Sequence, residues 1–373
     1  MTIERPARTS AKWRAYPDDV LPLWVAEMDY PLAAPIAAAL HDAIDRSDTG
    51  YRWVGDLAEA LAEFSGRRLG WAPDPQRVML LGDVLVGMAE TVRRLSSGAL
   101  VITPPVYPPF FHVATNVVGR ELVEVPLVPG DGLDLEGLGR AFARPEVTAF
   151  LLCNPHNPTG DIWSREQLVE VATLARRYDV LVISDEIWAP LTMPGRTMTP
   201  YLSLGEELTG PDVALVAASK AFNLAGLKAA QVIAGSADTM RLLTERIPIE
   251  VTYSAGQLGV IASIAAYREG DAWLDATRER IAVNSELLGR LLAEQLPDVG
   301  YLAGESTYLA WLNCRGLGLG DDPAAVFLER GRVAVNPGLD FGAQGAGFVR
   351  LNLATTPEIL AEAVRRMSVA IQR

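Results

Sequence analysis

A chain of 373 residues, 49% of them apolar, can bury a large core, and its length suggests two domains or one large one. Its formal charge of −13 argues against a general nucleic-acid surface, because phosphate backbones are held by clustered Lys and Arg and no basic run occurs. Two cysteines, Cys153 and Cys314, are too few for a disulfide framework, and with three scattered histidines they show no metal-ligand spacing.

The opening stretch MTIERPARTSAKWRAY lacks the continuous apolar core of an export signal. No stretch approaches the ~20 apolar residues needed to span a bilayer. A soluble cytoplasmic protein is therefore expected. Residues before about 47 read as proline-rich turns around one helix that could pack on either domain. No repeat or low-complexity segment stands out.

The middle of the chain alternates short apolar runs with helix patterns. ALVITP (99–104), VTAFLLC (147–153), VLVIS (180–184), VALVAAS (213–219) and AAQVIAG (229–235) are unalternating β-rich runs, as expected for strands covered on both faces of a mainly parallel sheet. SREQLVEVATLARRY (164–178) carries a Ser N-cap and apolar positions at helical spacing. The final third opens with a long amphipathic pattern (271–296) and continues into strand-like STYLAWLNC (306–314). A helix near 323–331, the short runs RVAVNP and GFVRLNL, and a closing helix from about Pro357 follow. The expected architecture is α/β: a large domain over 48–269 with a mostly parallel central sheet between helices, and a smaller α+β domain from 1–47 and 270–373.

Lys220 stands in AASKAFNLAGLK among small and apolar residues. Burying an ammonium is costly unless it is paired or loses its proton, so such a lysine tends toward a depressed pKa and a nucleophilic amine that can form Schiff bases. A stem lying on the surface with its head in water is the ordinary alternative for a lone lysine. Asp185 closes VLVISDE, and Asn157 lies in CNPHNPTG just after VTAFLLC. Ligands collect at strand ends in α/β sheets. An Asp for a protonated ring nitrogen, an Asn for a ring hydroxyl and a Lys for an aldehyde form the set that pyridoxal 5′-phosphate requires.

Seven motifs extend this reading along the chain: LPLWVAEMDYP (21–31), GYRW (50–53), TPPVYPPF (103–110), LLCNPHNPTG (151–160), ISDEIWAPL (183–191), SKAFNLAGLK (219–228) and VRLNLATTPE (349–358). In this order they resemble the fold-type I pyridoxal-phosphate enzymes, and within them the class I/II aminotransferase branch containing the MalY/PatB-type cystathionine β-lyases, or C–S lyases.

The resemblance implies that Lys220 holds the cofactor aldehyde and moves the substrate Cα proton. It further implies that Asp185 pairs with the pyridine nitrogen, Asn157 bonds the phenolic oxygen and Tyr107 stacks on the ring. For the phosphate, the glycine usual in that loop matches either Gly82 or Asp83. The N–H groups of Asp83, Val84 and Leu85 at a helix start can still bind it, provided the Asp83 side chain turns away to cap the helix. Ser219 offers a hydroxyl, Ala217 replaces a second serine, and Lys228 replaces a common arginine. Tyr51 resembles a residue that reaches the phosphate of a neighbouring subunit, which implies a homodimer. Arg350 matches the arginine that binds the substrate α-carboxylate, with Asn157 and the backbone near Ala26 as further contacts. Trp188 stands where relatives carry His or Tyr, and an indole N–H can donate a hydrogen bond to the ring oxygen but cannot accept one or shuttle protons. With Trp24 and Trp53 it hints at a bulky aromatic wall.

The expected activity is β-elimination from cystathionine or a related cysteine S-conjugate, yielding thiol, pyruvate and ammonia. The same residues would serve an aminotransferase. A regulatory binding role is the reading from another class, and the intact lysine, aspartate and asparagine set argues against it as the sole role.

Overall fold

The computed structural model describes residues 8–372, so the first seven residues of the stretch read for an export signal lie outside it. Thirteen strands are described, β1 to β13 in chain order: Leu21–Pro22, Val78–Leu81, Ala99–Ile102, Leu122–Glu124, Val147–Cys153, Leu181–Asp185, Val213–Val216, Ala230–Ala234, Gly300–Tyr301, Leu309–Asn313, Val333–Ala334, Asn336–Pro337 and Phe348–Asn352. Seven form the central sheet in the order β2-β8-β7-β6-β5-β3-β4. The run from β7 to β4 is parallel, whereas β8 pairs antiparallel with both β7 and β2.

Apolar runs without alternation make sense in this sheet because successive side chains enter two different cores. In β5, Phe150 and Leu152 join one buried cluster, and Ala149, Leu151 and Cys153 join the other. Helices cover both faces. Arg165–Tyr178 starts at a reciprocal cap between Ser164 and Gln167, as its sequence predicts. The 25-residue helix Asp271–Gln295 matches the long amphipathic pattern.

Several boundaries differ from expectation. The run 213–219 leaves the sheet after Val216; Ala217 is extended but unpaired, and Ala218–Ala221 forms a single helical turn. Its small apolar residues serve packing beneath a cleft, not ladder pairing. β2 was not read as a strand, because four apolar residues running straight into a helix carry little periodicity.

The C-terminal third builds a second, four-stranded antiparallel sheet, β12-β13-β10-β9, with the helices Asp271–Gln295 and Pro357–Ile371 packed together. The segment before residue 47 touches both units: β1 pairs with β11, and helix Ala34–Asp45 packs on helix Gln257–Glu269. Among the described residues, no helix is long and apolar enough to cross a membrane.

Candidate active site

The C-terminal ends of β3, β5, β6 and β7 face one cleft of about 170 Å³. Each strand end delivers a residue to it: Tyr107 after β3, Asn157 after β5, Asp185 closing β6, and Lys220 on the turn after β7. Parallel strands place their carboxyl ends on one edge, which is why residues more than a hundred positions apart meet here.

Lys220 points its Nζ at the carbonyl of Ala26, 3.2 Å away, and lies 5.7 Å from the Trp188 ring centre. Burial lowers its pKa to about 8, helped by the nearby Arg350 charge and opposed by Asp185. A lysine held this way is neutral far more often than one in water. Burial also lifts the Asp185 carboxyl to about 7, offset in part by the Ile187 N–H, its one hydrogen-bond donor among the described residues at 3.2 Å. A carboxyl facing a cleft with a single neutral donor leaves room for a cationic group on its open side.

Asn157 and Arg350 meet behind the cleft, where Arg350 Nη1 donates to Asn157 Oδ1 at 3.0 Å. Arg350 is only 4% exposed, and its other nitrogens find the Trp24 carbonyl (3.1 Å) and Asn336 Oδ1, while its Nε has no partner. The Phe341 ring covers it at 5.0 Å. Burial lowers its pKa to about 10. Every hydrogen-bond acceptor around it is neutral, and the nearby Asp340 carboxylate only partly offsets the cost of burying the cation.

At the other end, Asp83 caps helix Val84–Leu95: Oδ1 accepts from Val86 N–H at 2.9 Å, and Oδ2 pairs with Lys228 Nζ at 3.0 Å. The carboxylate therefore turns to cap the helix, and it also shares the Lys228 charge, which the sequence did not reveal. The first N–H groups of a helix have no intrahelical partner, and Val84 and Leu85 line the cleft. Position 82 has room only for glycine, since a Cβ there would fall 2.7 Å from Ser254 Oγ. Ser219 and Ala217 also line the cleft, leaving one hydroxyl at that position.

Of the residues singled out in the sequence, Ala26, Asp83, Val84, Leu85, Tyr107, Asn157, Asp185, Trp188, Ser219, Lys220 and Lys228 line the cleft. Arg350 stands one hydrogen bond behind it, and Tyr51 is 94% exposed and does not line the cleft of its own chain. Trp188 packs edge-on against Tyr308 at 4.9 Å. Tyr308 was read only as part of a strand, yet its hydroxyl donates to the Ala26 carbonyl at 3.0 Å. Nothing local in STYLAWLNC signals this, because the contact spans 282 positions.

The donor set fits pyridoxal 5′-phosphate: a buried carboxyl with one backbone donor, an amine of lowered pKa, and helix-start amides beside a lysine and a serine. The family model described as Aminotransferase class I and II matches residues 18–367. A candidate cystathionine β-lyase of Mycobacterium leprae is 44% identical, with 100% of this chain and 97% of that protein covered. The cystathionine β-lyase PatB of Bacillus subtilis is 32% identical over 99% of this chain and 98% of its own. The crystal structure of cystalysin from Treponema denticola, which contains a pyridoxal 5′-phosphate cofactor, superimposes with a TM-score of 0.94 at 25% identity, covering 100% and 98% of the two chains. With the matched model spanning most of the chain and the strand-end residues meeting in one cleft, this chain belongs to the aminotransferase class I and II family.

Proposed function

We propose that the chain is a pyridoxal-phosphate-dependent carbon–sulfur β-lyase, cleaving cystathionine or a related cysteine S-conjugate to a thiol, pyruvate and ammonia. The observation that carries this reading is the meeting of Asn157, Asp185 and Lys220 around one cleft, with the Arg350 guanidinium, its Nε without a hydrogen-bond partner, directly behind Asn157. The name of the Bacillus subtilis relative, alike over nearly the whole chain, favours the lyase over an aminotransferase.

The bound cofactor supplies an electron sink that acidifies the substrate Cα proton. Asp185 would keep the ring nitrogen protonated, Tyr107 would cover the ring and Asn157 would hold its phenolic oxygen. The amides of Val84 and Leu85, the Ser219 hydroxyl and Lys228 take the phosphate. Arg350 and Asn157 orient the substrate by its α-carboxylate. The neutral Lys220 amine would accept the Cα proton, the Cβ–S bond would break, and that proton would pass to the departing sulfur to give the thiol, with water completing the release of pyruvate and ammonia.

The working unit in this proposal is a homodimer. Tyr51 and Trp53 are 94% and 78% exposed, and Ile249 and Tyr253 add apolar surface near the same segment, where Arg52 bonds Thr252 and covers the Tyr253 ring. A second copy covering this patch would bring Tyr51 to the neighbouring phosphate. The division into a cofactor domain over 48–269 and a small domain from 1–47 and 270–373 is part of the same reading. So is a cytoplasmic setting, which two buried free thiols suit.

The test is turnover of cystathionine with no 2-oxo acid present. Pyruvate and thiol appearing in equal amounts support the lyase. Amino-group transfer that requires an added 2-oxo acid, without thiol release, assigns an aminotransferase instead.

A further inference from the structure

Residues 24–30 run beside the cleft without helix or strand structure, so side chains take over the work of a ladder. Arg350 holds the Trp24 carbonyl, Asn352 holds those of Val25 and Glu27, and Arg8 holds those of Met28, Asp29 and Tyr30. The Ala26 carbonyl stands apart, because its two donors are Tyr308 OH at 3.0 Å and the Lys220 amine at 3.2 Å.

Asn223 lies three residues beyond Lys220 and joins that turn to the same segment. Its Oδ1 accepts from Met28 N–H at 2.9 Å and its Nδ2 donates to the Met28 carbonyl at 3.0 Å. Two opposed bonds to one residue fix both distance and rotation, as a strand partner would. The backbone at Asn223 has φ of 59°, in the left-handed region that asparagine tolerates better than most residues.

We propose that Asn223 and Tyr308 are positioning residues that together present the Ala26 carbonyl as the resting point of the Lys220 amine whenever that amine is not bonded to the cofactor. The proposal rests on the reading of Lys220 as the base that takes the Cα proton. A lysine arm has four rotatable carbons, so an amine released during turnover would scatter over many rotamers. Anchoring it on one carbonyl, itself held by Tyr308 and aligned through Met28 by Asn223, keeps it within reach of the proton. Misplacement of about 1 Å in such a step costs up to ~10²-fold in rate.

The experiment uses the cofactor-loaded protein and L-alanine, which has no β-leaving group, and follows exchange of its α-hydrogen with deuterated water by proton NMR. Asn223→Gly removes the side chain while permitting the positive φ, and Tyr308→Phe removes one hydroxyl while keeping the ring against Trp188. Each variant is expected to slow exchange by about 10- to 100-fold, with half-saturating alanine changed less than about 3-fold. Because both residues serve one carbonyl, the double variant should be scarcely slower than the worse single one. Exchange within about 2-fold of wild type in either variant overturns the proposal, as do rate losses that multiply in the double variant. Wild-type protein that exchanges no α-hydrogen overturns the functional reading, and this proposal with it.

Discussion

Replacing Asp185 by Asn separates what this carboxylate does for the empty fold from what it does for the cofactor. Burial lifts it from an ordinary 3.8 to about 7 in the cofactor-free chain. The folded state thus binds this proton more tightly than the unfolded state does. The resulting stability is fully present below about pH 4 and is lost as pH rises through about 7. A rise from 3.8 to about 7 corresponds to about 4 kcal/mol as an upper value. Water sharing the cleft would reduce it to about half. Asparagine can still accept from Ile187 N–H and never carries the charge. Urea unfolding of both cofactor-free proteins from about pH 4 to about pH 8 measures the effect. Glu186 and Asp212, also raised to about 7 by burial, titrate in both proteins; losing the Asp185 charge also eases ionisation of Glu186, which adds to the variant's advantage at high pH. The two should match near pH 4, and Asp185→Asn should be more stable by about 2–4 kcal/mol near pH 8. With pyridoxal phosphate bound, the order should reverse. A difference that does not change with pH, or a less stable variant at pH 8, would refute the argument.

Arg350→Lys keeps the charge and loses the planar fork, so the KM for cystathionine should rise about 30-fold, from about 2 kcal/mol for a charge-assisted bond; a rise below about 3-fold contradicts this role. Asp83→Ser keeps a helix cap but releases Lys228 and removes a negative charge from the phosphate end. Its melting temperature should stay within a few degrees, and its dissociation constant for pyridoxal phosphate should fall roughly 3- to 10-fold, measured by equilibrium dialysis. Weaker binding would show that the Asp83–Lys228 pair helps hold the phosphate. The chain has only three lysines, at 12, 220 and 228, so amine labelling is easily assigned by mass spectrometry. In the cofactor-free protein, the labelling rate of Lys220 should rise with pH with a midpoint near 8, and a midpoint near 10 would show that burial does not govern it.

Much of the site was legible because its chemistry is written in residue types at strand ends. An apolar run followed by a polar residue, as at VTAFLLC before Asn157 or VLVIS before Asp185, marks where a buried strand stops and a ligand edge begins. Lys220 was conspicuous because an ammonium among alanines needs a reason. By contrast, β8 resembles its parallel neighbours in composition but runs the other way, since a strand buried on both faces carries no mark of its direction. Lys228 reads in sequence as a cation for the phosphate in place of a common arginine, and only the fold shows it shared with Asp83, 145 positions earlier.

Local pattern and residue chemistry thus determined the α/β class, the core strands and the strand-end set of Asn157, Asp185 and Lys220, because burial on both faces and the cost of a buried charge are properties of short stretches. The roles of Tyr308, Asn223 and the carbonyls of residues 24–30 were decided by tertiary structure alone. They depend on hydrogen bonds that close across about 200 to 300 positions, and those bonds exist only once distant parts of the chain have packed around the cleft.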